Sequence, residues 1–164
     1  MTGVVIPSCV TYVAGNSFEG CESLKAIEVD ENNKNYCSID GVLFSKNKKE
    51  LVSYPNGKGS SYIIPEGVKN IVAGAFANCK DLTSVEMPSS LKKIFFSSFA
   101  DCENLISLDI PEGVDDIDEA FEGCTGLKAI NVDENNSSYC SIDGVLFNKD
   151  KTELIAYPNA KGSS

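Results

Sequence analysis

Apolar residues recur along this chain in a fixed order. The sextet Leu24-Lys-Ala-Ile27-Glu-Val29 is apolar at its first, fourth and sixth positions, and the same pattern returns at Leu82–Met87, Leu105–Ile110 and Leu127–Val132. The last three residues of each sextet alternate apolar, polar, apolar, which is the period of a β-strand. Ahead of each sextet lies an aliphatic pair, Val10/Val13, Val68/Ile71, Leu91/Ile94 and Val114/Ile117. These pairs predict a second short strand on an opposite wall. Between pair and sextet stand Phe18, Phe76, Phe99 and Phe121. Each opens a tight turn, expected as a single 3₁₀ or α turn, and each is the expected largest filler of the interior.

Spacing turns these elements into repeats. Phe to Cys, Cys to Leu, and Leu to the next aliphatic are each three residues apart in all four copies, and the prolines at 65, 88 and 111 are separated by 88−65 = 23 and 111−88 = 23. The short repeats occupy 6–29, 64–87, 87–110 and 110–132; longer units occupy 30–63 and 133–164. From Leu24 to Ser61 against Leu127 to Ser164, 29 of 38 positions are identical. A period near 23 residues with an L-x-x-I-x-I core lies in the leucine-rich-repeat range. Such a repeat cannot bury its apolar face alone, so the fold expected for 1–164 is a single β-rich solenoid with little helix. The proline that follows each strand lacks a donor where pairing should stop.

In the long units, Ile39–Phe44 and Glu50–Tyr54 read as strands flanking a polar turn, Ser45–Lys49. Asp40-Gly41 and Asp143-Gly144 are added turn signals. The unit is expected to be an inserted hairpin whose solvated turn lengthens one coil; the alternative makes its tip a contact point.

Cys21, Cys79, Cys102 and Cys124 share one repeat position. They are expected to form a ladder of buried thiols, with Cys37 and Cys140 read the same way and Cys9 exposed. A thiolate metal ladder is the sharper alternative, weakened because the sequence has no histidine and no C-x-x-C. Seven cysteines cannot all pair within one chain. Glu112, Asp115, Asp116, Asp118, Glu119 and Glu122 form an acidic run, read as a solvated edge. Calcium is its alternative ligand, but the spacing departs from D-x-[DN]-x-[DN]-G and Ile117 interrupts it.

Charge narrows the function. Fourteen Lys+Arg against 24 Asp+Glu give a net charge of −10, which argues against a nucleic-acid partner. With no histidine, imidazole-based catalysis is excluded. No nucleophile elbow, P-loop or dinucleotide fingerprint is present, and no carboxylate pair stands out by setting or spacing, so the chain reads as a non-enzyme without cofactor or metal. Its N-terminus lacks the basic and apolar regions of a signal peptide, and no apolar run reaches the ~20 residues of a membrane span.

The pattern I-P-x-x-V-x-x-I, A-F-x-x-C-x-x-L-x-x-I-x-I, broken by S-I-D-G-V-L-F and L-x-x-Y-P-x-x-K, resembles the BspA-like (Treponema pallidum type) leucine-rich repeats over essentially the whole chain. The resemblance implies a right-handed solenoid of cell-surface or secreted proteins of gut and oral bacteria and some parasitic protists. It also implies adhesion or protein binding, with host matrix proteins as reported partners of some members. A chain of this family without a signal peptide or anchor reads as a fragment or truncated product. A structural spacer, or an accessory segment of a secreted enzyme, are the alternative roles.

Solenoids commonly bind on the outer face of their main sheet. Here that face is expected to carry Lys25, Ala26 and Glu28; Thr83, Ser84 and Glu86; Ile106, Ser107 and Asp109; and Lys128, Ala129 and Asn131. The expected partner-binding residues are Lys25, Glu28, Thr83, Glu86, Ser107, Asp109, Lys128 and Asn131. Neither terminus carries a polar capping unit, so weak self-association through the solenoid ends is expected.

Overall fold

The computed structural model describes residues 2–162. In chain order they form β1 (Gly3–Ile6), a 3₁₀ turn (Gly15–Phe18), β2 (Ala26–Val29), β3 (Tyr36–Ile39), β4 (Val42–Ser45) and β5 (Glu50–Ser53). There follow β6 (Ser61–Ile63), β7 (Asn70–Ile71), β8 (Ser84–Glu86), β9 (Lys93–Ile94) and β10 (Ser107–Ile110). The chain closes with β11 (Asp116–Ile117), β12 (Ala129–Val132), β13 (Tyr139–Ile142), β14 (Val145–Asn148) and β15 (Leu154–Ala156).

Two walls enclose the interior. On the main wall, β1 pairs in parallel with β2, β6 with β8, and β10 with β12. The Ile106 amide donates to the Thr83 carbonyl and carries this wall from β8 to β10. The opposite wall is the parallel set β5, β7, β9 and β11, in which Leu51, Ile71, Ile94 and Ile117 lie in register. Between the walls Phe76, Phe99 and Phe121 are buried. The Phe76 and Phe99 rings stack at 4.9 Å and 5°, and Phe99 and Phe121 at 6.0 Å. Each coil thus places a like side chain on its neighbour, and none of these strands of two to four residues could be stable alone.

The long unit departs from the expected hairpin. The apolar stretch Ile39–Phe44 is not one strand: it breaks at Asp40 (φ 50°) and Gly41 (φ 76°). Two successive left-handed residues make the tight turn that matches strand twist in a two-residue hairpin. β3, β4 and β5 then run antiparallel, with Cys37 opposite Phe44 and Leu43 opposite Ser53. The Asp40-Gly41 turn enters the main wall beside β2, where the Ile27 amide donates to the Gly41 carbonyl. A Cβ on Gly41 would stand 2.9 Å from that of Ala26, so glycine is required there.

These strands form a partition across the solenoid. Alternate side chains point to opposite faces. Tyr36, Leu43 and Val52 pack toward Ile6, Leu24 and Ile27 in one apolar cluster. Val42, Phe44, Leu51 and Tyr54 pack toward Ile64, Ile71 and Phe76 in a second, larger cluster that runs on to Tyr139 and Leu146. The interior is therefore two compartments rather than one, and the exposed residues of the inserted strands are confined to their turns, at Asp40 and Lys46–Lys49.

The first repeat also differs from expectation. Val10 and Val13 form no strand, and Phe18 is only half-buried. No described coil covers the outer side of this repeat, so its apolar positions gain one neighbour instead of two.

Candidate functional site

Of the eight side chains expected on the outer face, all but Thr83 are exposed; Thr83 is half-buried and donates to the Ser60 carbonyl at 2.9 Å. Thr83, Glu86, Ser107, Asp109, Lys128 and Asn131 share one continuous stretch of wall, and Asn131 donates to the Asp109 carboxylate at 2.8 Å. Lys25 and Glu28 do not join them. They lie on the β1–β2 pair, beyond the inserted Asp40-Gly41 turn.

The thiol ladder is real in three of its four places. Cys79, Cys102 and Cys124 are buried; Cys102 donates to the Phe76 carbonyl at 3.1 Å and Cys124 to the Phe99 carbonyl at 3.0 Å. Each of these acceptors belongs to the preceding short repeat. Burial raises Cys79 to about 12 and Cys124 to about 11, and raises Cys102 as well, so these groups are neutral thiols and poor nucleophiles. Cys21 is exposed, contrary to expectation. It lies in the first coil, where no described coil precedes it to supply an acceptor. Cys37 and Cys140 are half-buried and Cys9 is exposed.

The acidic run is a solvated edge. Asp116 pairs with Lys93 at 3.0 Å, while Asp115, Asp118 and Glu119 are exposed. Among the described residues, no three Asp, Glu, His or Cys side chains converge as a metal site.

Two functional-looking asparagines went unseen in the sequence. Asn33 is buried and donates to the Pro7 and Val10 carbonyls, while its side-chain oxygen accepts from the Asn35 and Tyr36 amides at 2.8 and 2.9 Å. Asn136 repeats this with Pro111, Val114, Ser138 and Tyr139. All four hydrogen-bonding positions of the amide are used. The role is structural: each pins a long unit to the short repeat before it. Tyr36 and Tyr139 add a second pin, their hydroxyls accepting from the Val13 and Ile117 amides at 2.9 Å.

A groove of about 570 Å³ runs along the turn edge across all four short repeats. Its lining includes the small residues Ala14, Gly15, Ala73, Gly74 and Ala100 and two exposed aromatics, Tyr12, 78 % exposed, and Phe96, 48 % exposed. Glu19, Asp101 and Glu122 are its only charged lining residues. Phe96 stands two residues after Ile94, where the other repeats carry Gly15, Ala73 and Glu119 at the same offset from Val13, Ile71 and Ile117. That break in the repeat pattern was the available signal.

Stacked short strands, two walls and a repeating aliphatic interior define a leucine-rich repeat solenoid. The family described as BspA type leucine-rich repeat region matches residues 1–59 and 52–160 in six copies, and the chain belongs to that family. Solved structures agree. A leucine-rich repeat protein from Eubacterium ventriosum is 34 % identical over 80 % of this chain, with a TM-score of 0.73. The pneumococcal vaccine antigen PcpA is 27 % identical over 84 %, with a TM-score of 0.65. A leucine-rich cell surface protein from Faecalibacterium prausnitzii is 32 % identical over 79 %, with a TM-score of 0.57. The chain spans only 36 %, 40 % and 41 % of those three chains. No curated protein matches. No enzyme family is indicated, and among the described residues no helix is long and apolar enough to cross a membrane.

Proposed function

We propose that this chain is a non-enzymatic protein-interaction module of a cell-surface or secreted protein, engaged in adhesion. The groove on the turn edge is the observation that carries the reading. Aromatic side chains held on a rigid scaffold dominate interface energetics, and the groove presents Tyr12 and Phe96 among small lining residues. The outer face of the main wall has no aromatic anchor among Thr83, Glu86, Ser107, Asp109, Lys128 and Asn131, and ranks second. Carboxylates on the groove and a net charge of −10 favour a partner segment carrying lysine or arginine. The extracellular assignment rests on relatives described as a cell surface protein and a vaccine antigen.

Binding to immobilised host matrix proteins tests the reading with two variant sets. Tyr12→Ser with Phe96→Ser is expected to lower affinity at least tenfold. Charge reversal at Glu28, Glu86 and Asp109 is expected to change it far less. Saturable binding that survives the first set and fails with the second would move the site to the wall. No saturable binding to any matrix protein would reject adhesion in favour of a spacer.

A further inference from the structure

We propose that the outer face of the wall formed by β5, β7 and β9 binds a sulfated polysaccharide, through a row of lysines that crosses these three strands. Lys49, Lys69 and Lys92 each stand one residue ahead of a strand, and backbone hydrogen bonds stack them. The Lys69 amide donates to the Lys49 carbonyl and the Lys92 amide to the Lys69 carbonyl, both at 2.7 Å. Lys49 and Lys92 are exposed and Lys69 is half-buried. Exposed Lys46 and Lys48 extend the row on the turn before β5, and Lys93 adjoins it on β9. The row lies on inner coils, flanked by β4 on one side and β11 on the other, so its exposure is not set by the first or last coil.

The charges of this row are uncompensated. The chain holds 24 acidic residues against 14 lysines, yet among the described residues only Lys80 and Lys93 form ion pairs, with Glu103 and Asp116. Carboxylates on the same coils are engaged by other donors. Glu50 accepts from the Asn70 side chain at 3.4 Å, and Glu66 accepts from the Ser89 hydroxyl and the Ser90 amide at 2.9 and 3.0 Å. Stacking sorts charge by repeat position, so a chain of net charge −10 still presents one locally basic strip.

Spacing and a neighbouring ring select the polyanion. Adjacent strands stand about 4.8 Å apart, far sparser than the one charge per about 1.7 Å of duplex DNA. A sulfated polysaccharide carries its charges a sugar ring apart and matches the strip better. Phe95, 37 % exposed, follows Lys93 by two residues on the same outward face. Its ring offers an apolar surface to a sugar ring, which a polyphosphate chain lacks. Every basic residue of the chain is lysine, so recognition is by point charge rather than by the bidentate fork of arginine. Asp115, whose amide donates to the Lys92 carbonyl at 3.0 Å, ends the row and limits it to a short stretch of polymer.

Calorimetric titration of the 164-residue chain with a heparin hexasaccharide tests this, and saturable binding is expected. The variant Lys49→Gln/Lys69→Gln/Lys92→Gln, checked for an unchanged melting temperature, is expected to bind at least tenfold more weakly. Its fall of log K with log salt should lessen by about 2, at roughly 0.7 per lysine removed. Phe95→Ser is expected to weaken heparin binding at least threefold and to leave the weaker binding of inorganic polyphosphate unchanged. Lys25→Gln/Lys128→Gln on the main wall and Tyr12→Ser/Phe96→Ser in the groove are expected to bind like wild type, which separates this strip from the protein-binding groove. No binding at about 1 mM heparin hexasaccharide in about 50 mM salt would overturn the proposal. So would a triple lysine variant that binds like wild type, a loss confined to the groove variant, or equal or tighter binding of polyphosphate or single-stranded DNA.

Discussion

The two long units share most of their residues and yet live in different surroundings. Residues 24–61 are covered on both faces, whereas residues 127–162 are covered on one. Their shared side pins each hairpin to the short repeat before it by the same contacts: Asn33 and Tyr36 in one, Asn136 and Tyr139 in the other. They diverge on the other side, where Tyr62–Phe76 covers the first unit and no described residue covers the second. In a solenoid, then, a side chain's burial is decided by the next coil as much as by its own identity.

The sharpest way to test this contrast is to truncate matched aromatics. Tyr54→Ala should cost about 3–5 kcal/mol, as deletion of a buried ring does, whereas Tyr157→Ala should cost under about 1 kcal/mol. Denaturant melts of both variants would measure the gap; equal costs would break the comparison. Where the surroundings match, the effects should match too. Asn33→Ala and Asn136→Ala should each cost about 3 kcal/mol, since each strands buried backbone groups worth about 1–3 kcal/mol apiece. Thermal or denaturant melts showing a loss at one site only would contradict the equivalence.

A smaller effect is expected at the Asp-Gly turns. Gly41 (φ 76°) and Gly144 (φ 78°) both face an alanine Cβ, at 2.9 and 2.8 Å from where a new Cβ would stand. Gly41→Ala and Gly144→Ala should each destabilise by about 1–3 kcal/mol in the same melts. Smaller again is a response to alkali. The buried thiols are raised from 9.0 to about 12 at Cys79 and about 11 at Cys124. The folded state thus holds these protons more tightly than the unfolded chain. That contribution is complete below pH 9 and is lost as pH climbs through the folded values. Melting temperature should fall between pH 9 and 12, and Cys79→Ala/Cys102→Ala/Cys124→Ala should fall less steeply while starting lower at pH 7.

Much of this was legible in the sequence because repetition writes the same instruction several times. Phe76, Phe99 and Phe121, the ladder of Ile71, Ile94 and Ile117 and three of four aligned thiols follow from spacing alone, whereas the continuation of that ladder to Leu51 does not. Phe18 and Cys21 carry the same residue at the same position and end up differently, because spacing says nothing about which coil lacks a neighbour. The Val42-Leu43-Phe44 run did hold an unread signal: three consecutive apolar residues in a strand mean that both faces are covered, which is what a partition requires. Asn33 offered no such cue, since a buried amide inside Asp-Glu-Asn-Asn looks like any polar turn. The groove was hidden for a third reason. Its lining includes Tyr12 and Phe96, which are 84 residues apart by 96−12 and come to line one groove only once the coils stack.

Native-state hydrogen exchange of the 164-residue chain tests the central claim that the following coil sets burial. The Tyr54 amide, bonded to the Ala75 carbonyl, should exchange at least ~100-fold more slowly than the Tyr157 amide, with the difference extending over Leu51–Ser53 against Leu154–Ala156. Equal protection in the two near-identical segments would contradict it.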